Sequence, residues 1–170
     1  MDDAAEDASS LVDIAAAIDA CGSAVLHLAL CRTGCRAGAE DVFQTVFLRL
    51  YQKAPALESD EHLKAWLLRV TVNCCNDLYR NARKHRQVAL DEAIAVEAAS
   101  GLPDEDVDSL KRAMGKLSEK QQVALHLFYF EGYKTDEIAS IMDESPATVR
   151  SYLHRARKAL KITLEGGRDA

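Results

Sequence analysis

Apolar residues recur at helical spacing through most of the chain, and no alternating strand pattern persists along it. The clearest case lies near the C-terminus, where Val149, Leu153, Ala156 and Leu160 follow one another at intervals of four, three and four residues. These intervals put the four side chains in one stripe of a helix. The pattern predicts an all-α fold in which this stripe faces a core.

The same helix has a defined start and a basic outer face. Ser145 is placed to cap it, and Pro146 takes the first helical position, where its missing N–H costs nothing. Residues 145–161 contain five basic residues and no acidic one. A helix that is apolar behind and basic in front fits the major groove of DNA.

Two shorter helices are predicted before it. Ser118 and Gln121 have the spacing of a capping box, Gly132 would end the first helix, and Thr135 is placed to cap the second. The apolar positions expected in the core are Val123, Leu127, Phe130, Ile138 and Ile141. With a tight turn at residues 143–144, these helices predict a helix-turn-helix.

The first part of the chain predicts two further helices. Residues 11–31 are Ala-rich and helical in pattern, although Gly22 interrupts them, and Gly34 would end this helix. Residues 38–54 follow as a better defined helix with one wide apolar face. That face consists of Val42, Phe43, Val46, Phe47, Leu50 and Tyr51.

A long third helix is predicted to start at Ser59 or Asp60, either of which can cap it. Its apolar side consists of Leu63, Leu67, Val70, Cys74 and Leu78. Its other side carries Trp66, Arg69, Asn73, Asn76 and Arg80. Such a face suits single-stranded DNA, because rings stack on bases, amides bond base edges and arginines hold phosphates. The alternative for the single tryptophan is packing against the core.

The charge distribution changes what the net charge of −6 implies about partners. Residues 1–13 and 87–110 contain several acidic residues and no basic one. Residues 62–86, in contrast, hold six Lys or Arg against one acid. The chain thus has two basic blocks that can each meet phosphates. We expect two small helical domains, at 1–86 and 111–170, joined by a flexible acidic linker at 87–110.

Other features favour a cytoplasmic protein without a cofactor. No apolar stretch of about 18 residues and no signal-peptide layout is evident. The five cysteines are expected to be reduced thiols. His27, Cys31 and Cys35 would share a face only if one helix continued past Gly34, and a fourth ligand is not evident, so no metal site is expected.

The stretch from Leu117 to Lys161 resembles region 4 of the sigma-70 family of RNA polymerase sigma factors, most closely the extracytoplasmic-function (ECF) group. Its run TVRSYLHRARKAL is the most specific part. The chain departs from the family at Ser118, Lys134, Asp143 and Glu144, where Pro, Ser, Gly and an apolar residue are usual. The resemblance implies that the last helix reads the −35 promoter element. The expected contacts are Pro146, Ala147, Thr148, Arg150, Ser151, His154, Arg155 and Lys158.

Two other stretches resemble region 2 of the same family. AEDVFQTVFLRLY is similar to the element that docks on the clamp coiled coil of the polymerase β′ subunit, which implies polymerase binding by Asp41, Gln44, Phe47 and Leu48. AWLLRVTVNCCNDLYR is similar to the element that melts and captures the −10 promoter region. With the polar face of that helix, the expected −10 contacts are Trp66, Arg69, Asn73, Asn76, Asp77, Arg80 and Arg83.

The resemblance implies a sigma factor, not an enzyme, that directs core RNA polymerase to promoter DNA and starts transcription. Its expected partners are the β′ clamp coiled coil, the β subunit, promoter DNA and an anti-sigma factor, with no membrane insertion. One alternative is a conventional helix-turn-helix regulator with an N-terminal sensing or dimerisation domain, which has no need of the basic block around Trp66. Another is a metal- or thiol-based sensor that uses the cysteines.

Overall fold

The computed structural model of the protein describes residues 12–53, 56–85 and 112–166, without the side chains of 83–85 and 162–166. The acidic linker predicted at 87–110 and most of the acidic stretch at 1–13 therefore lie outside the described residues. All regular structure in the described ranges is helical, which confirms the predicted fold class. The helices are α1 Ile14–Thr33, α2 Arg36–Lys53, α3 Asp60–His85, α4 Glu119–Leu125, α5 Thr135–Met142 and α6 Pro146–Gly166, and a π-helical turn, His126–Phe130, continues α4.

Helix α1 runs without the interruption expected at Gly22. That glycine is buried, and a Cβ at its position would lie 3.5 Å from the Phe43 ring of α2, an ordinary packing distance. The Asp13 carboxylate caps the start of α1. Gly34 ends the helix in the left-handed conformation (φ 67°), as predicted from the sequence.

Helix α1 also corrects the expectation that no stretch is apolar enough to cross a membrane. It has 20 residues and a mean hydropathy of 1.8, which satisfies that criterion by length and composition. In the structure 44% of this apolar window is buried inside the protein, against α2 and α3. A buried core helix meets the same criterion, so the finding is weak support for a membrane span.

Helices α1, α2 and α3 enclose the first core. Its fully buried members include Val25, Ala29, Val42, Val46, Leu50 and Leu67. Two residues of the predicted apolar faces are instead exposed, Tyr51 at 66% and Leu78 at 41%. Tyr51 lies about 100° around α2 from Leu50, beyond the reach of the neighbouring helices. On α3 the buried arc is displaced toward Leu68 and Val72, because that helix also contacts the C-terminal helices.

The second core joins the helix-turn-helix to the first three helices. It buries Val123, Leu127, Ile138, Ile141, Val149, Leu153 and Ala156, as the apolar pattern predicted. Phe130 is an exception, since 58% of it is exposed. The wider π-helical turn rotates Phe130 off the stripe and buries His126 in the core region instead.

The helix starts mostly follow the predicted caps. The Ser145 Oγ accepts from the Thr148 N–H at 3.1 Å, and Ser118 forms both bonds of a capping box with Gln121. At α3 the cap is Ser59, whose Oγ accepts from the His62 N–H at 3.2 Å.

The cap predicted at Thr135 is wrong. Thr135 is the first residue of α5, and Lys134 occupies the cap position. The Lys134 N–H instead donates to the Glu137 carboxylate at 2.8 Å, so an acid one turn into the helix replaces the expected hydroxyl.

Candidate nucleic-acid and polymerase interfaces

Helix α6 presents a basic face to solvent. Its inner stripe of Val149, Leu153 and Ala156 is buried, which fixes the rotation of the helix. Of the residues expected at the −35 element, Thr148 and Ser151 are half-buried. The exposed ones are Pro146, Ala147, Arg150, His154, Arg155 and Lys158. The structure thus brings the predicted residues together on one side of a helix about 31 Å long.

The turn before α6 accommodates both unusual residues of the sequence. Asp143 takes the left-handed conformation (φ 56°, ψ 48°), which Asp tolerates better than most residues. Glu144 is not left unpaired, since it forms an ion pair with Lys120 and accepts a hydrogen bond from the Tyr152 hydroxyl at 3.3 Å. These contacts join the turn to α4 and α6, and they replace the apolar contact that is usual there.

Arg157 has a structural role that the sequence pattern did not show. Its guanidinium lies 5.2 Å from the Phe128 ring centre and 5.6 Å from that of Tyr129, and its Nε donates to the Tyr129 hydroxyl at 2.8 Å. The π-helical turn places both rings beside α6. Arg157 therefore attaches α6 to this turn, which separates it from the other arginines of the helix.

The polar face of α3 is partly exposed and partly enclosed. Arg69, Asn73, Asp77 and Arg80 are exposed, whereas Trp66 and Asn76 are half-buried. The Arg83 side chain lies outside the described residues. Asp77 lies 3.8 Å from the Arg49 guanidinium and 4.0 Å from that of Arg80, so it forms a surface ion pair with each of them.

Arg32 holds the inner part of this face in place. Its side chain is 2% exposed, and its Nη2 donates to the Asn76 Oδ1 at 2.8 Å. Its guanidinium lies 5.1 Å from the Tyr79 ring centre, and the Tyr79 hydroxyl donates to its carbonyl oxygen. The role of Arg32 could not be predicted from the sequence, because nothing in the pattern of α1 indicates a contact with a residue 44 positions later.

The position of Trp66 bears on two interpretations, namely packing against the core and stacking on bases of single-stranded DNA. It packs against the first core, as the structural alternative expects. It also lines an open cleft of about 380 Å³ together with Arg69 and His62 on α3 and with Ser140 and Ile141 on α5. One side of the ring therefore supports the fold, and the other faces a space between the two halves of the protein.

Helix α2 exposes an apolar side chain within a polar surface. Leu48 is 54% exposed, and Asp41 and Gln44 are exposed beside it on the same face. Phe47 is only 5% exposed and packs against Phe43 with ring centres 4.7 Å apart, so it supports this surface from behind. Tyr51, one turn beyond Leu48, extends the exposed apolar area.

The cysteines are free, and three of them are buried. Burial raises the pKa of the Cys75 thiol to about 12 and also raises the pKa values of Cys74 and Cys21, which keeps these thiols protonated and unreactive. His27 is exposed, while Cys31 and Cys35 are half-buried. In the part of the chain that the structure describes, no group of three or more His, Cys, Asp or Glu could hold a metal ion.

Comparison with known proteins matches both halves of the chain. Residues 17–85 match Sigma-70 region 2, and residues 108–160 match Sigma-70, region 4. The ECF RNA polymerase sigma factor SigL of Mycobacterium tuberculosis is 33% identical over 144 residues, which are 81% of this chain and 80% of that protein. The probable RNA polymerase sigma factor RfaY of Xanthomonas campestris is 32% identical over 157 residues, but this chain spans only 39% of its length.

A solved structure shows the same fold. The sigma factor RpoE of Bartonella quintana, crystallised in complex with the anti-sigma factor NepR, superposes with a TM-score of 0.73 at 24% identity, over 90% of this chain and 97% of that one. The two region matches and the identity to SigL identify the same family, and the exposed residues of α3 and α6 are consistent with it. The chain belongs to the sigma-70 family and is an RNA polymerase sigma factor of the extracytoplasmic-function type.

Proposed function

We propose that this sigma factor divides promoter recognition between α6 and α3 and binds core polymerase through α2. The observation that carries this division is that α6 and α3, on separate halves of one chain, each carry exposed arginines. A duplex-binding regulator needs only the first of these faces. The second combines a partly exposed ring, amides and guanidinium groups, which suits unpaired bases.

Helix α6 would enter the major groove at the −35 element. Arg150 and His154 lie one turn apart on its exposed face and can reach base edges, and Arg155 and Lys158 are placed to meet phosphates. An arginine that contacts guanine O6 and N7 reads that base specifically. The buried stripe behind these residues makes the face rigid, because it fixes how α6 turns its side chains outward.

Helix α3 would hold the melted −10 region. Arg69 and Arg80 are exposed at either end of the face, where they can hold the phosphates of a single strand. Asn73 and Asn76 lie between them and can bond exposed base edges, and Trp66 offers a ring for stacking. Arg83 and Asp77 are proposed to extend the same face.

The surface of Asp41, Gln44 and Leu48 would dock on the clamp coiled coil of the polymerase β′ subunit, and the chain would also contact the β subunit. An exposed leucine ringed by polar groups fits a helix of a coiled coil, because a small apolar contact with a polar rim is the usual anatomy of an interface.

We also propose an anti-sigma factor as a regulatory partner. The protein would work in the cytoplasm without membrane insertion, with domains at 1–86 and 111–170 and an acidic linker along the RNA exit path, and it would have no catalysis of its own.

The proposal is tested by co-purification with core polymerase followed by promoter-dependent transcription. Leu48→Asp should abolish both, because a carboxylate replaces an apolar contact. Ile18→Asp is the matched control, since Ile18 is a partly exposed aliphatic residue on another helix. Circular dichroism should show the same helical content in both variants. Polymerase binding by Leu48→Asp at the wild-type level would refute the role of this surface.

The same experiment separates this proposal from a conventional operator-binding regulator. Such a regulator would bind duplex DNA without polymerase and would not support transcription by the core enzyme. The buried thiols give little support to a thiol-based sensor.

A further inference from the structure

The buried stripe of α6 selects the side of the helix that faces the core. Apolar contacts are non-directional, so the packing of Val149, Leu153 and Ala156 tolerates a small rotation of the helix about its own axis. Hydrogen bonds are directional, and they weaken steeply when the angle at the hydrogen is distorted. Polar contacts beside the stripe therefore set the rotation of α6 within narrower limits than the stripe does.

The first of these polar contacts joins α6 to the turn before it and to α4. The Tyr152 hydroxyl donates to the Glu144 Oε1 at 3.3 Å, and the same oxygen accepts from the Lys120 ammonium. The Glu144 side chain is only 20% exposed. Its hydrogen bond raises the pKa of Lys120, which keeps the ammonium charged. One carboxylate oxygen thus connects three segments, and we name this contact of Tyr152, Glu144 and Lys120 the Tyr152 anchor.

The second polar contact joins α6 to the π-helical turn. The Arg157 Nε donates to the Tyr129 hydroxyl at 2.8 Å, and the Arg157 guanidinium lies 5.2 Å from the Phe128 ring centre. We name this contact of Arg157, Tyr129 and Phe128 the Tyr129 anchor. Tyr129 is 58% exposed, so the hydrogen bond lies at the edge of the core. The Tyr129 anchor therefore contributes direction to the packing of α6 and little buried area.

The two anchors lie on opposite flanks of the buried stripe. Successive residues of an α-helix are about 100° apart around its axis, so Tyr152 and Arg157 lie about 70° to either side of the middle of the stripe. With side chains included, the helix has a radius of about 5 Å, and a rotation of about 20° displaces its surface by about 2 Å. Such a displacement breaks a hydrogen bond. The two anchors together therefore oppose rotation of α6 in both directions.

The same rotation would move the side chains that face DNA. Arg150 and His154 lie one turn apart on the exposed face of α6. An arginine reads guanine only when its N–H groups lie within hydrogen-bonding distance of both O6 and N7. A shift of about 2 Å takes the guanidinium out of this range. The rotation of α6 thus decides which base edges Arg150 meets.

We propose that the Tyr152 anchor and the Tyr129 anchor set the rotation of α6, and thereby the base sequence that this helix prefers at the −35 element. The residues of both anchors are positioning residues, because they act through Arg150 and His154. Glu144 takes a position where an apolar residue is usual in the family, so the Tyr152 anchor distinguishes this chain from the common pattern. The proposal rests on the proposed function, because it requires α6 to read duplex DNA.

Removal of a single hydroxyl from each anchor tests the proposal with a minimal change. Tyr152→Phe and Tyr129→Phe each delete one hydrogen bond of α6, and both keep the ring and the net charge. Tyr133→Phe is the matched control, since the Tyr133 ring packs against the same core and, within the described residues, its hydroxyl forms no hydrogen bond to α6. Glu144→Leu removes the acceptor of the Tyr152 hydroxyl, so the addition of Tyr152→Phe to it should have little further effect. Circular dichroism and thermal denaturation check that every variant is folded at the assay temperature.

The readout is the preference of the holoenzyme among upstream sequences. Wild type or a variant transcribes, with core polymerase, a pool of templates that is randomised upstream of a fixed promoter, and a barcode in each transcript identifies its upstream sequence. A role in stability alone would lower all transcripts by the same factor and leave their ranking unchanged. Tyr152→Phe, Tyr129→Phe and Glu144→Leu should reduce the preference for the best upstream sequence over the median one by about fivefold or more. Tyr133→Phe should keep the wild-type ranking.

The results separate this proposal from the proposed function. If Tyr152→Phe and Tyr129→Phe keep the wild-type ranking, the anchors do not set what α6 reads, even where total transcription falls. An equal change of ranking in Tyr133→Phe would also overturn the proposal, because the loss of any hydroxyl in the domain would then suffice. If wild-type holoenzyme transcribes the fixed promoter with no preference among upstream sequences, the assignment of α6 to the −35 element fails, and the proposal fails with it.

Discussion

The two surfaces proposed to meet DNA differ in what holds their side chains in place. On α6 the contacts that fix the helix are local, from the Ser145 cap to the buried stripe behind the basic face. On α3 the inner residues are held by distant groups, most directly by Arg32 from the end of α1. The α6 face is therefore positioned by its own helix, whereas that of α3 depends on the arrangement of the rest of the protein.

The largest expected effect comes from pH, which should act near α3 and spare α6. Burial lowers the pKa of His126, but the nearby Cys31 side chain and the Glu131 carboxylate raise it more, to about 9. His126, and then Lys64, hold the pKa of Glu131 at about 2 despite its burial. The Phe130 ring stacks on the imidazole of His126, with ring centres 5.2 Å apart.

The direction of the pH effect follows from these shifts. A histidine whose folded pKa exceeds its unfolded value of 6.5 stabilises the fold fully below pH 6.5, and it loses this contribution as pH rises toward 9. Glu131 contributes fully above pH 4.5 and loses its part as pH falls toward 2. The free energy of unfolding should be highest between about pH 4.5 and 6.5, and it should fall by at most about 3 kcal/mol by pH 9. Urea titrations at several pH values measure it.

His126→Gln is the control for this prediction. The variant should be less stable than wild type at pH 6 and should lose much less stability between pH 6.5 and 9. If both proteins lose stability equally over this range, another group is responsible and the coupling to Glu131 is too weak to matter.

The next effect separates the two surfaces by the step at which they act. Arg150→Ala should weaken binding to upstream duplex by about 1–3 kcal/mol if the arginine reads a base edge. Trp66→Ala and Asn73→Ala should leave that binding intact and reduce open-complex formation by the holoenzyme, seen as a loss of permanganate-reactive thymines. If all three variants fail at the same step, the two surfaces do not act separately.

A smaller effect is expected at the helix caps. Ser145→Ala should cost about 1 kcal/mol of stability, because the Thr148 N–H loses its acceptor. Ser59→Ala removes the equivalent bond to His62 at α3 and should cost a similar amount. Only Ser145→Ala should also weaken duplex binding, because only that cap lies beside the α6 face. Chemical denaturation measures the loss of stability, and anisotropy measures the loss of duplex binding. Substitution by Gly at either position should cost less stability than substitution by Ala.

The difference between α6 and α3 also explains how far the sequence could predict this protein. Spacing of apolar residues and caps are local signals, and they correctly placed Ser145, Val149 and Leu153. The π-helical turn adds a residue to one helical turn, so the same spacing wrongly placed Phe130 in the core and missed His126. Local signals predict a face that is built locally.

The ion pairs Arg32–Glu119 and Lys64–Glu131, which join the two domains, lay beyond such signals for a different reason. Arg32 and Lys64 look like ordinary surface cations in the sequence, since their partners Glu119 and Glu131 are far along the chain. Burial of an ion pair depends on how two domains dock, and no periodicity within either domain records that. The resemblance to the sigma-70 family identified both domains but gave no indication of their contact.

The smallest expected effect compares phosphate contacts on the two surfaces. Lys158 is exposed on α6, and Arg80 is exposed on α3 at 4.0 Å from Asp77. Removal of one phosphate contact should lower the slope of log affinity against log salt by about 0.9 on duplex DNA and about 0.7 on a single strand. Lys158→Ala should therefore reduce the duplex slope alone, and Arg80→Ala the single-strand slope alone. Lys116→Ala, an exposed lysine on neither face, should change neither. Anisotropy across a salt series measures the slopes of wild type and of each variant on both kinds of DNA. A change of the duplex slope by Arg80→Ala would show that the two surfaces share one DNA path.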